Sequence, residues 1–480
     1  MMKKTFTQGL SLALLLFLTA CTNTDQSQLE GAETAPTIVE PDESTTEETT
    51  DEMFTARDKE IGYDESNATA ITLANENVTI DKEGIYVLSG TLTDGQVIID
   101  VADTEKVQLV LNNVTITAEN TAPIYVKSAN KVFVTLAAGT TNTLNTTGAF
   151  VADTENNVDG VIFAKSDITF NGSGTLKINA AQGHGIVGKD DVVFTSGTYL
   201  VTAANHGVSA NNSVRIADGD VQITSGKDGI QVEHTTDPEK GFFYMENGTM
   251  SIQADGDTIS TSGFLQIEGG NYTLTTGSGT TSSETVSQKG LKSEQEILIN
   301  SGEFIIDTVD DSIHAAGDIT IGNGTFTLTS GDDAIHSDAA VLLSDGMFRI
   351  PSAYEGIEGL EITVNGGDYD ITTTDDGFNA GGGTDGSGFN GGNDPFATTE
   401  GAAITINDGT ITVVSDGDSL DSNGTLTING GTLNLTCTGN GNTAIDASGT
   451  YANNGGVITT NDGSESGNQM SGPQPGGRRP

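Results

Sequence analysis

Tryptophan is absent from this chain of 480 residues, and cysteine occurs only at Cys21 and Cys437. Two cysteines cannot build a disulfide framework. Basic side chains are scarce, 19 Lys and Arg against 67 Asp and Glu, for a formal charge of −48. A nucleic-acid partner requires a basic footprint on the phosphates, so that class is excluded. Electrostatic adsorption to an anionic membrane is excluded by the same sign of charge. Aromatics are only 5% of the chain, and acidity with few aromatics often marks disorder. Here, however, the acids are threaded through alternating Ile, Val, Leu and Phe, which disorder does not explain. Helical periodicity is essentially missing. The charge suits metal cations, or acidic ligands reached through a metal bridge.

The two ends read differently from the middle. Lys3 and Lys4 precede an apolar run from Leu10 to Leu18, too short for a usual membrane span and typical of an export signal over residues 1–20. Leu18-Thr19-Ala20-Cys21 resembles the lipobox of bacterial lipoproteins. That resemblance implies cleavage before Cys21, lipidation of its thiol, and a place on the outer face of the cell membrane, with the lipid as the only membrane contact. The alternative is an ordinary export signal with an incidental cysteine. Residues 21–65 are rich in Thr, Glu, Asp, Ser and Pro without any period, and read as a disordered acidic spacer. Residues 461–480 read as a disordered tail.

Between them, residues 66–460 repeat. Alternating strands of three to five residues are broken by Gly, Asn and Asp, which tolerate the left-handed turn conformation. Marker glycines fall at 197, 219, 248, 270, 302, 324, 346, 367, 409, 431 and 456, most often 22 residues apart. Intervals of 29 and 32 imply one coil plus an insertion. The interval of 42 is two coils, or better one coil carrying the Gly-rich loop from Gly381 to Asn393. Such a unit cannot bury its inner face alone, but stacked copies can. The expected fold is therefore all-β, a right-handed parallel β-helix solenoid of about 22 residues per coil, its hand set by the chirality of parallel connections. About a dozen coils stacked at about 4.8 Å would run for roughly 50–60 Å. Residues 66–165 repeat less cleanly and are expected to form irregular first coils with a cap. Cys437 lies in an alternating run and is expected to be a buried small hydrophobe.

The chemistry-bearing feature recurs at the same period. Asp310-Asp311-Ser312-Ile313-His314 is followed by Asp332-Asp333-Ala334-Ile335-His336, then Tyr354-Glu355-Gly356-Ile357-Glu358, then Asp375-Asp376-Gly377-Phe378-Asn379. Gly417-Asp418-Ser419-Leu420-Asp421 is a more distant copy. Earlier ones include Lys289-Gly290-Leu291-Lys292, Gly256-Asp257-Thr258-Ile259, Lys227-Asp228-Gly229-Ile230, His206-Gly207-Val208 and His184-Gly185-Ile186. Stacking would bring carboxylates of Asp310, Asp311, Asp332, Asp333, Glu355, Glu358, Asp375 and Asp376 onto neighbouring coils. A like-charged column at that spacing destabilises itself unless a cation binds. Hard oxygen ligands favour Ca²⁺, whereas His314 and His336 hint at zinc. The competing readings are turn capping by Asp310, Asp332 and Asp375, and an exposed stacked pair for His314 and His336. No nucleophile elbow or phosphate-cradling loop stands out. The loop residues Phe389 and Phe396 are weak candidates for stacking on sugar.

The paired Asp-Asp-x-Ile-His segments, Lys289-Gly290-Leu291-Lys292, the coil from Gly359 to Gly367 and Asp375-Asp376-Gly377-Phe378-Asn379 together resemble the bacterial carbohydrate-binding domain-containing proteins. The resemblance runs from about residue 66 to 460. It implies a pectate-lyase-like β-helix, bound calcium, export, and affinity for cellulose-like or acidic polysaccharides, with His314, His336 and Asn379 beside the ligand. The Tyr354-Glu355-Gly356 coil departs from the pattern by using Glu for Asp. Three functions follow as expectations: calcium-dependent polysaccharide binding by a monomer, a pectate-type lyase with Lys289 or Lys292 as base, and a surface adhesin or stalk. Non-enzymatic binding is preferred because Lys and Arg are scarce.

Overall fold

The computed structural model describes residues 53–151, 157–277, 286–381 and 398–466. Among them, 44 strands pair in two sets, of 29 and 15 strands. One regular coil shows the logic. It contains Ile313–Ala315, Ile319–Ile321 and Thr325–Thr329. Each strand pairs in parallel with its equivalent one coil later: Ile313 with Ile335, Ile319 with Val341, and Thr325 with Met347. The chain is a right-handed parallel β-helix, as its repeat implies.

Alternation places every second side chain inside. Tyr272, Phe304, Phe326, Phe348 and Tyr369 stack in the core, with ring centroids 4.6, 4.7, 4.7 and 4.8 Å apart. That is the spacing of paired strands, so the ring column and the backbone ladder share one repeat. Each ring lies two residues after a marker glycine. The markers from Gly197 to Gly431 all have φ between 86° and 141°, a region costly for any residue with a Cβ. At Gly346 a Cβ would also sit 3.0 Å from the Gly324 carbonyl oxygen and 3.0 Å from the Phe348 ring. Gly456 is the exception, without a positive φ.

The long intervals are single coils with insertions. Asp220 pairs directly with Thr249, Asn271 with Glu303, and Asp368 with Thr410. Most of the Gly-rich loop, including Phe389, lies outside the described residues, as do Phe396, Cys21 and the expected export signal. The early coils are irregular, with long strands at Gly84–Thr93 and Lys106–Ala118. Cys437 is buried on the inner face.

Ordered contacts extend on both sides of residues 66–460. The spacer expected to reach residue 65 is already docked from residue 53. Phe54 is buried against Val193 and Ala217, and the Asp58 carboxylate accepts from Lys131 Nζ at 2.7 Å and Thr169 Oγ1 at 2.6 Å. Outward-facing residues of several coils form this berth, which a local period does not reveal. At the other end, Asp462 Oδ2 accepts the Ala444 backbone N–H at 2.8 Å. The chain therefore remains attached beyond residue 460, through Asp462 and Glu465.

Candidate metal centre

The short strands of the 15-strand set carry two polar columns. Lys292, His314, His336, Glu358, Asn379, Asp421 and Asp446 are consecutive register partners along one column. Three residues before each, in the turn, stand Lys289, Asp311, Asp333, Glu355, Asp376, Asp418 and Thr443. Small residues separate the turn from the strand, as at Gly290, Ser312, Ala334 and Gly356, and let successive turns nest. A Cβ on Gly417 would collide with the Asp375 and Asp376 carboxylates, so glycine there leaves room for both.

The turn carboxylates divide their oxygens. Asp311 Oδ1 accepts the N–H of Asp333 at 3.0 Å, and Asp333 Oδ1 accepts that of Glu355 at 3.1 Å. Asp376 Oδ1 accepts from Asp418 at 2.6 Å. Asp228 and Asp257 serve the earlier coils alike, at 2.9 and 2.8 Å. One oxygen thus staples each coil to the next. The other faces the second column: Asp311 Oδ2 lies 3.0 Å from His314 Nδ1, and Asp333 Oδ2 lies 3.3 Å from His336 Nδ1. Turn capping and cation binding are therefore compatible. Asp310 caps its own turn through the Asp311 N–H at 3.0 Å.

Three electrostatic zones follow one another. In the first, the Lys289 ammonium is buried between Asp310 Oδ1, at 2.8 Å, and Asp311. Burial opposes its charge, but the two carboxylates prevail and hold its pKa above the usual lysine value. A permanent ammonium is the wrong protonation state for a base. Lys292 lies 3.2 Å from Glu294 and 3.9 Å from Asp257. Asp311, despite burial, is held down to about 2 by His314 and Lys289.

In the second zone, His314 and His336 are both buried, with ring centroids 4.9 Å apart and planes at 72°. This corrects the alternative expectation of an exposed stacked pair. Burial opposes charge on His336, but Asp333, Glu358 and Asp311 push its pKa up to about 9. In the third zone, Asn379 donates to both oxygens of Glu355, at 3.1 and 2.9 Å. Burial first, then neighbouring carboxylates, raises Asp376 to about 8, Asp421 to about 7 and Asp418 to about 6. Among the described residues no ammonium, guanidinium or imidazole pairs with Asp376, Asp418 or Asp421. Oxygens of Asp418, Asp421 and Asp446 all lie within 4.8 Å of one another. This donor set, entirely oxygen, fits Ca²⁺. Asp310, Asp311 and Asp332 also converge, but there Lys289 already supplies positive charge.

The model of a family described as carbohydrate-binding domain-containing protein matches residues 74–334 and 333–473. The chain belongs to this family. A carbohydrate-binding domain-containing protein of Acetivibrio thermocellus is 37% identical over 139 residues, 28% of this chain and 49% of the relative. The match thus spans about half of that relative's length. A solved structure titled as the polysaccharide lyase-like protein from C. thermocellum, gadolinium derivative, is 33% identical, covering 48% of this chain and 96% of that one, with a TM-score of 0.43. Membership of this family supports interaction with carbohydrate.

Within this family member, sequence reasoning passed over Asp446, which completes the third zone. It follows Asp421 by 25 residues, in a segment that no longer begins with Asp. Its place after Ala444-Ile445 in the strand pattern was the available signal. Asp338, which faces His336 Nε2 at 3.6 Å, was also missed. Among the described residues no helix is long and apolar enough to cross a membrane.

Proposed function

We propose that this chain binds polysaccharide in a calcium-dependent manner at the bacterial cell surface, anchored through lipidated Cys21. The observation that carries the calcium reading is the third zone, where Asp418, Asp421 and Asp446 converge beside Asp376. Ca²⁺ there would hold three coils together and relieve the repulsion. It would also offer a bridge to a uronate carboxylate, which explains how so acidic a protein can hold an acidic glycan. Cellulose-like chains are the other glycan class to test. The lyase reading is weaker because Lys289 is committed to Asp310 and Asp311.

The test is retention of the protein on cellulose and polygalacturonate with Ca²⁺ and with chelator. Retention should be lost in chelator, and Asp418→Asn with Asp421→Asn should abolish the calcium response. Retention indifferent to chelator would refute the calcium requirement. No retention on any glycan would favour an adhesin or stalk.

A further inference from the structure

The second zone has an unusual histidine. The His336 side chain is only 2% exposed, yet neither ring nitrogen has a hydrogen-bond partner. Its Nδ1 looks into a bowl of carboxylates from three successive coils. Asp333 Oδ2 lies at 3.3 Å, Glu358 Oε2 at 3.5 Å and Asp311 Oδ2 at 3.7 Å. His314 Nδ1 stands behind Asp311 at 3.0 Å. On the far side of the ring, Nε2 faces Asp338 Oδ1 at 3.6 Å, and that oxygen is also buried without a partner.

The distances discriminate between a proton and an ion. A hydrogen bond from imidazolium to carboxylate closes to about 2.7–2.9 Å. None of the three Nδ1 contacts is that short. Donor atoms bound to one tetrahedral ion at about 2.0–2.1 Å are separated by about 3.3 Å, which the Asp333 and Glu358 separations match. The donor types agree. Imidazole nitrogen with carboxylate oxygen suits zinc and its first-row neighbours, whereas Ca²⁺ is held by oxygen. Asp338 supplies the outer partner that such a site uses, since an Nε2–H directed at a carboxylate leaves the Nδ1 lone pair for the ion.

We propose that His336, Asp333 and Glu358, with Asp311 and His314 beside them, form a zinc-class metal site distinct from the oxygen-only calcium zone. The site clamps three coils together, and it does not rest on the calcium or polysaccharide readings. It predicts selective uptake of a borderline-soft ion in the presence of a hard one.

The experiment uses the full chain, freed of metal by chelator and equilibrated with millimolar Ca²⁺ before titration with Zn²⁺ followed by calorimetry. One high-affinity Zn²⁺ site is expected to remain with Ca²⁺ present. His336→Gln should weaken it by about 100-fold or more, and Asp338→Asn by about 10–100-fold, as loss of an outer partner does. Glu358→Gln is the second variant, retaining size in case His336→Gln fails to fold. Circular dichroism reports folding for each variant, and ring-nitrogen NMR of the parent should show the His336 Nδ1 resonance moving with Zn²⁺. Absence of Zn²⁺ uptake by folded parent protein would overturn the assignment. So would equal uptake by folded His336→Gln or Glu358→Gln, or displacement of Zn²⁺ by Ca²⁺.

Discussion

At the residue scale, the polar columns owe their stability to a division of labour within single carboxylates. Asp311 illustrates it: Oδ1 staples the next coil through the Asp333 N–H, while Oδ2 meets Lys289 and His314. Lys289 thus acts as a built-in cation, whereas among the described residues no cationic side chain pairs with Asp376, Asp418 or Asp421. Its replacement by Met leaves Asp310 without its ammonium and Asp311 with only the imidazoles of His314 and His336 to offset its charge. Breaking a buried pair from one side costs about 3–5 kcal/mol. Lys289→Met should therefore melt well below the parent without metal. Ca²⁺ should stabilise the variant more than the parent, because the vacated carboxylates gain a reason to bind it. Differential scanning calorimetry with and without Ca²⁺ checks both statements, and equal melting of variant and parent without metal would refute the first.

At the element scale, the strap from Met53 to Glu60 depends on one side chain. Asp58 is nearly inaccessible and accepts from Lys131, Thr169 and Thr55, while its carbonyl accepts from Thr195 Oγ1 at 2.7 Å. Burial alone would raise its pKa, but the Lys131 and Thr169 bonds outweigh it and set the pKa below the ordinary 3.8. A depressed folded pKa contributes stability above the unfolded value and loses it as pH falls through the folded value. The strap should stay docked near neutrality and loosen below about pH 3.8. Asp58→Asn should loosen it at all pH values, read by hydrogen exchange of residues 53–60; unchanged protection in the variant would refute the role. This element also marks where sequence reasoning ends. The coils were legible because Gly302, Gly324 and Gly346 recur every 22 residues, flanked by alternating strands. The polar columns were legible for the same reason, since equal spacing becomes equal position. The strap was not, because Phe54 and Asp58 lie in an acidic, aperiodic stretch, and their partners are outward-facing residues many coils away. Nor could spacing reveal that Lys289 fills the gap between two aspartates, or that each carboxylate would use its oxygens differently.

At the scale of the whole molecule, the charge of −48 is concentrated by the coil repeat. Equivalent positions repeat at about 4.8 Å, within the Debye length of about 8 Å at physiological ionic strength. Monovalent salt therefore screens neighbouring carboxylates of a column poorly, whereas an ion seated among them acts directly. A ligand that binds only the folded chain stabilises it by about 2.7 kcal/mol at a hundredfold excess over its dissociation constant. Low-millimolar Ca²⁺ should thus raise the melting temperature more than NaCl at the same ionic strength. In a solenoid each coil touches only its neighbours, so the gain should be local. Hydrogen exchange should slow most in the coils from Asp376 to Asp446 and least in those before Gly172. Equal melting shifts for the two salts would mean that general screening, and no seated ion, stabilises the acidic coils. Uniform protection along the solenoid would instead place the calcium effect outside this column.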